Sequence, residues 1–114
     1  MKIRVLQKHE STYPNPIEFV EGDNLALGKI DPDYPGWIQV TTRDGNTGWA
    51  PLKYIARDTD MELGKAITHY TAVELDVAPG EGLDVIKELD GWYWCRNELN
   101  RLGWVPVAIG EVAD

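Results

Sequence analysis

Residues 2–7 of the chain alternate polar and apolar side chains, the period-two pattern of a strand with one buried face. A loop follows with Tyr13-Pro14-Asn15-Pro16 at its tip, where two close prolines forbid helix and remove backbone donors. Glu21-Gly22-Asp23 turns the chain into a second short strand marked by Leu25, Leu27 and Ile30, and the Asp, Pro and Gly cluster at 31–36 is another turn. Residues 37–42 are rich in aromatic and β-branched side chains, Asp44-Gly45 predicts a tight hairpin turn, and 47–50 return as the partner strand. Pro51 ends this ladder, and Leu52-Lys53-Tyr54 has room for one helical turn before Ile55. The mostly polar residues 58–64 read as a short linker. The same order then recurs: a strand at 66–70, a turn at 79–81, a strand through Leu83, Val85 and Ile86, the turn Asp90-Gly91, a hairpin of 92–97 with 101–105, and a closing segment at 107–112. No stretch sustains a helical period, and short strands parted by regular turns predict an all-β protein of small barrels.

The recurrence has a fixed step. Trp37, Trp49 and Pro51 stand 55 residues before Trp92, Trp104 and Pro106, and the phrase Gly48-Trp49-Ala50-Pro51 returns as Gly103-Trp104-Val105-Pro106. Self-similarity at one offset means two copies of one unit. It predicts two β-barrels in tandem, 1–57 and 65–114, joined by the linker 58–64. Units this small bury little core, so the pair is expected to pack together.

The order of signals resembles the Src-homology-3 (SH3) domain family. Ala66-Ile67-Thr68-His69-Tyr70, Glu74-Leu75, Gly80-Glu81, Gly91-Trp92 and Gly103-Trp104-Val105-Pro106 carry the likeness in the second copy. Val5-Leu6-Gln7-Lys8-His9, Ile17-Glu18-Phe19, Gly22-Asp23, Trp37 and Gly48-Trp49-Ala50-Pro51-Leu52-Lys53-Tyr54 carry it in the first. The whole is similar to small bacterial proteins made of tandem SH3 domains. The resemblance implies a five-stranded, strongly bent barrel per copy, with a shallow aromatic groove for extended proline-rich peptides. It also implies the groove residues: Trp37, Trp49, Pro51 and Tyr54 in the first copy, and Tyr70, Trp92, Trp104 and Pro106 in the second. Glu74 takes the family's acidic position, where a carboxylate pairs with an arginine of the peptide. The first copy departs from the pattern at Gln7, His9 and Pro16, and the second at Thr68 and Ile109.

Other residues read more plainly. The repeated aromatic set predicts a surface platform at Trp37 and Trp92. Trp94 has only Gln39 as its counterpart, which favours docking of this ring against the other domain over an extension of the groove. Cys95 matches Val40, so it is expected in the core. His9 and His69 are expected as ordinary surface histidines, since no further His or Cys stands at metal-ligand spacing. Glu10, Glu18, Glu21, Asp23, Glu74, Asp76, Glu81 and Asp84 lie in or beside the long loops, either as solvated charges or facing a basic ligand.

Composition narrows the partners. Eleven Lys and Arg against nineteen Asp and Glu leave a net charge of −8 over 114 residues. That argues against nucleic acid or an anionic membrane as the main partner, because both need clustered cations. One cysteine allows no intramolecular disulfide and no cysteine-based metal cluster. The N-terminal stretch has no apolar run of signal-peptide length, which points to the cytoplasm. Nothing resembles a nucleophile elbow, phosphate loop or triad, so neither enzymatic activity nor a cofactor or metal is expected. The leading expectation is a non-enzymatic module for an extended, basic or proline-containing peptide. Two alternatives stand beside it: a module for cell-wall peptides, and a structural role with the aromatic faces buried between barrels or in a homodimer.

Overall fold

In the structure, a computed structural model that describes residues 1–11, 15–59 and 62–113, the sheets do not follow the two halves of the sequence. One five-stranded sheet runs β11 (Leu102–Pro106), β10 (Trp92–Arg96), β9 (Gly82–Leu89), β1 (Lys2–Val5), β12 (Gly110–Val112). The other runs β5 (Thr47–Pro51), β4 (Trp37–Thr41), β3 (Asn24–Ile30), β7 (Leu63–Ala66), β6 (Ile55–Arg57). A small ribbon pairs β2 (Glu18–Phe19) with β8 (Tyr70–Thr71). Every neighbouring pair in these sheets is antiparallel. The all-β class read from the sequence is the class observed.

Contacts divide the chain into a split unit, residues 1–14 with 73–114, and a continuous unit, residues 15–72. This differs from the expected division into 1–57 and 65–114. Each unit takes its first strand from the other half of the sequence: β1 sits between β9 and β12, and β7 between β3 and β6. Two places read from the sequence, Tyr13-Pro14 in the loop tip and Asp60-Met61 in the linker, lie outside the described residues.

The expected linker is shorter than 58–64, because Leu63 and Gly64 already belong to β7. The expected strand at 66–70 correspondingly ends at Ala66 as β7 and resumes at Tyr70 as β8. The inward positions of β7 are Gly64 and Ala66, too small to register as an apolar alternation. Both expected hairpins are present. β4 faces β5 with Trp37 opposite Pro51 and Gln39 opposite Trp49, while β10 faces β11 with Trp92 opposite Pro106 and Trp94 opposite Trp104. The helical turn at Leu52–Tyr54 is a 3-10 turn, and Val107–Ile109 forms its counterpart.

The core of the split unit gathers Ile3, Val5, Leu75, Val77, Leu83, Tyr93, Cys95, Val105 and Ile109. The continuous unit buries Ile17, Phe19, Leu25, Ile38, Val40, Ala50, Ile55 and Ala66. Cys95 and Val40 are both fully buried, as their shared offset predicts. Burial pushes the Cys95 thiol up from its ordinary value near 9 to about 12, with the Asp84 charge adding to the effect. A raised acid pKa in the folded state means stability is intact below the unfolded value and declines as pH rises between about 9 and about 12. At neutral pH the thiol is therefore protonated and covered. Native protein is expected to resist a maleimide or disulfide reagent, and label at Cys95 only on addition of denaturant; rapid native labelling would refute this.

Candidate ligand-binding grooves

Trp37 opens β4 because the preceding turn aims it there. Asp31 Oδ1 accepts from the backbone N–H groups of Asp33 (2.9 Å) and Tyr34 (3.2 Å), and Trp37 N–H donates to the Tyr34 carbonyl at 3.0 Å. Trp92 opens β10 after a two-residue turn. Asp90 and Gly91 both have left-handed backbone, φ 46° and 91°, the pair of conformations that matches the twist of a tight hairpin. The two Trp residues thus hold equivalent sheet positions behind turns of different length.

The continuous unit brings Trp37, Tyr54, Tyr70 and Phe19 together. Tyr70 is the hub, with ring centroids 6.4 Å from Trp37, 5.9 Å from Tyr54 and 5.5 Å from Phe19. Its hydroxyl donates a long hydrogen bond, 3.4 Å, to the Trp49 carbonyl. The structure corrects the grouping read from the sequence, which set Tyr70 beside Trp92, Trp104 and Pro106: the residue stands in the other unit. The reason is the exchange of first strands, which carries Tyr70 on β8 to β2. The expected open platform also differs at several positions. Trp37 is 8% exposed, Tyr70 5%, and Pro51 is fully buried, while Trp49 and Tyr54 are half-buried.

The split unit gathers Trp92, Pro106, His9 and Glu74. Trp92 and Pro106 are half-buried cross-strand neighbours. His9 meets Trp92 edge-on with ring centroids 6.0 Å apart, and its Nε2 donates to Glu74 Oε1 at 2.7 Å. Both side chains are largely covered, 18% and 13% exposed, so this pair is less screened than a surface bridge. His9 is therefore not the ordinary surface histidine the sequence suggested. Glu74 itself is positioned by the backbone: Trp104 N–H donates to the Val73 carbonyl at 2.9 Å, and Leu75 N–H to the Trp104 carbonyl at 3.1 Å. Trp104 is 3% exposed, covered rather than open to solvent, with Trp94 5.2 Å away and the Lys87 ammonium 5.8 Å from its ring centre.

A matching pair exists in the continuous unit, where His69 Nε2 donates to Glu18 Oε2 at 2.8 Å. This one is well exposed and contributes about 0–1 kcal/mol. Reading the sequence missed His9, Phe19 and both His–Glu pairs as parts of the site. His9 and Glu74 lie 65 residues apart in different copies, so no local spacing could have joined them.

Residues 2–57 match the variant SH3 domain family. The matched segment spans β1 of the split unit and β2 to β6 of the continuous one. No curated protein and no solved structure matches the chain. SH3 domains are, as a family, non-enzymatic modules that bind protein or peptide ligands.

Proposed function

We propose that this protein binds an extended peptide, basic or proline-containing, on the aromatic face around Trp92 and Pro106, with Glu74 supplying the negative charge. The observation that carries the reading is that Trp92, Pro106 and Glu74 converge in one partly exposed place on a chain of net charge −8. A flat indole beside a proline ring favours a polyproline-type ligand, which has little conformational entropy to lose. Trp37, Trp49, Pro51, Tyr54 and Tyr70 form the equivalent set in the continuous unit. The near-complete cover of Trp37 and Tyr70 favours a structural role for those two rings, the second reading.

The test is a titration of arginine-bearing proline-rich peptides followed by Trp fluorescence. Trp92→Ala should abolish binding, and Trp37→Ala should leave most of it. His9→Phe removes the internal partner of Glu74 and should tighten an arginine-bearing peptide several-fold, without helping its lysine-free, arginine-free analogue. Binding that survives Trp92→Ala, alone or combined with Trp37→Ala, would overturn the reading.

A further inference from the structure

We infer that a large–small pairing of side chains commits the chain to exchange its first strands, so that each groove is assembled from both halves of the sequence. The register puts Ile3 of β1 opposite Leu83 and Val112, and Gly64 of β7 opposite Leu25 and Arg57. These are the same seat in the two units, because Arg57 and Val112, like Ile55 and Gly110, are 55 residues apart.

The seats are not interchangeable. In the continuous unit a Cβ on Gly64 would lie 2.7 Å from Ile55 Cγ2, 3.1 Å from the Ala56 carbonyl oxygen and 3.2 Å from Leu27 Cδ1. No side chain fits there while Ile55 stands on the last strand. In the split unit the sizes are reversed. Ile3 fills the seat at 1% exposure, and the last strand carries Gly110, whose Cβ would meet Ile3 Cδ1 at 3.1 Å and the Arg4 carbonyl oxygen at 3.0 Å.

Each barrel thus holds one large and one small residue at this point: Ile3 with Gly110, and Gly64 with Ile55. Unexchanged barrels would set Ile3 against Ile55, an overlap, and Gly64 against Gly110, a hole; close-packed cores tolerate neither. Val5 and Ala66 repeat the size difference one step along the strands, opposite Gly110 and Ile55 respectively. The short connection from β6 to β7 works in the same direction, since a local hairpin closes at lower entropic cost than pairing with a strand fifty residues back. The consequence for the grooves follows directly. Exchange delivers Tyr70 to Trp37 and His9 to Trp92, whereas unexchanged copies would do the opposite.

Disulfide trapping in the full chain tests this. Arg4 lies opposite Glu111 in the exchanged form, and in the unexchanged form it would lie opposite Ala56, as Lys65 does here. Directly opposed strand residues are within reach of a disulfide. Arg4→Cys with Glu111→Cys should cross-link within one chain, and Arg4→Cys with Ala56→Cys should not. Adding Ile3→Gly and Gly64→Ile reverses both size matches and should reverse the cross-linking preference. Should that variant not fold, Gly64→Val alone should lower Tm, and Ile55→Ala should restore most of the loss. A cross-link between positions 4 and 56 in the parent would overturn the inference. So would cross-linked species of twice the chain mass, or failure of Ile55→Ala to rescue Gly64→Val.

Discussion

Replacing Gly103 by alanine lowers the stability of the protein by about 3 kcal/mol, while the same change at its repeat partner Gly48 costs about 1 kcal/mol. The difference lies in what each new methyl group meets. At Gly103 the Cβ would stand 2.8 Å from both the Leu75 backbone nitrogen and its Cγ, and 3.0 Å from the Glu74 carbonyl carbon. That backbone cannot retreat, because Leu75 N–H donates to the Trp104 carbonyl and Trp104 N–H to the Val73 carbonyl. Relieving the overlap would lengthen both bonds, each contributing about 1 kcal/mol. At Gly48 the contacts are only carbons of the Ile17 side chain, at 3.2–3.4 Å, which can shift. Urea unfolding followed by circular dichroism gives both values from the midpoints at constant slope; equal losses would contradict the account.

Trp104→Ala is the second large effect, about 4 kcal/mol, against about 1–2 kcal/mol for Trp49→Ala. The two residues are the same word in the repeated phrase, and a sequence alone treats them alike. Trp104 is 3% exposed, packed on Trp94, and the change leaves a cavity the size of an indole. Trp49 is half-buried opposite Gln39, where solvent refills the vacated space. Thermal melts should show a fall on the order of 15 °C or more for the first variant and several degrees for the second. The reverse order would mean that the indole of Trp104 is not the one sealed from water.

For function the comparison matters because Trp104 and Pro51 resemble groove residues by motif yet are covered in the fold. The residues that meet solvent around the acidic position are Trp92 and Pro106, with His9 bonded to Glu74. His9, a position at which the first copy departs from the SH3 pattern, is here the internal partner of the carboxylate. Any basic ligand at this place must compete with that imidazole.

Much of the architecture could be read from residues in order. The alternation at 2–7, the Asp-Gly turns, the two hairpins and the doubled Gly-Trp-x-Pro phrase all reflect local backbone preferences and one-sided burial, which act over a few residues. Cys95 could be assigned to the core because its repeat partner is Val40. What the order of residues could not decide was the partner of each first strand. Alternation says which face of β1 is buried, but not against which sheet, and two homologous sheets were on offer. Gly64 hid its role for the same reason: an inward glycine carries no hydrophobic signal, and its meaning appears only beside Ile55. The choice between pairings rests on whether Ile3 overlaps or fits across a distance of more than fifty residues, a matter of volume in three dimensions. Once that was decided, which aromatic residues stand together in each unit followed.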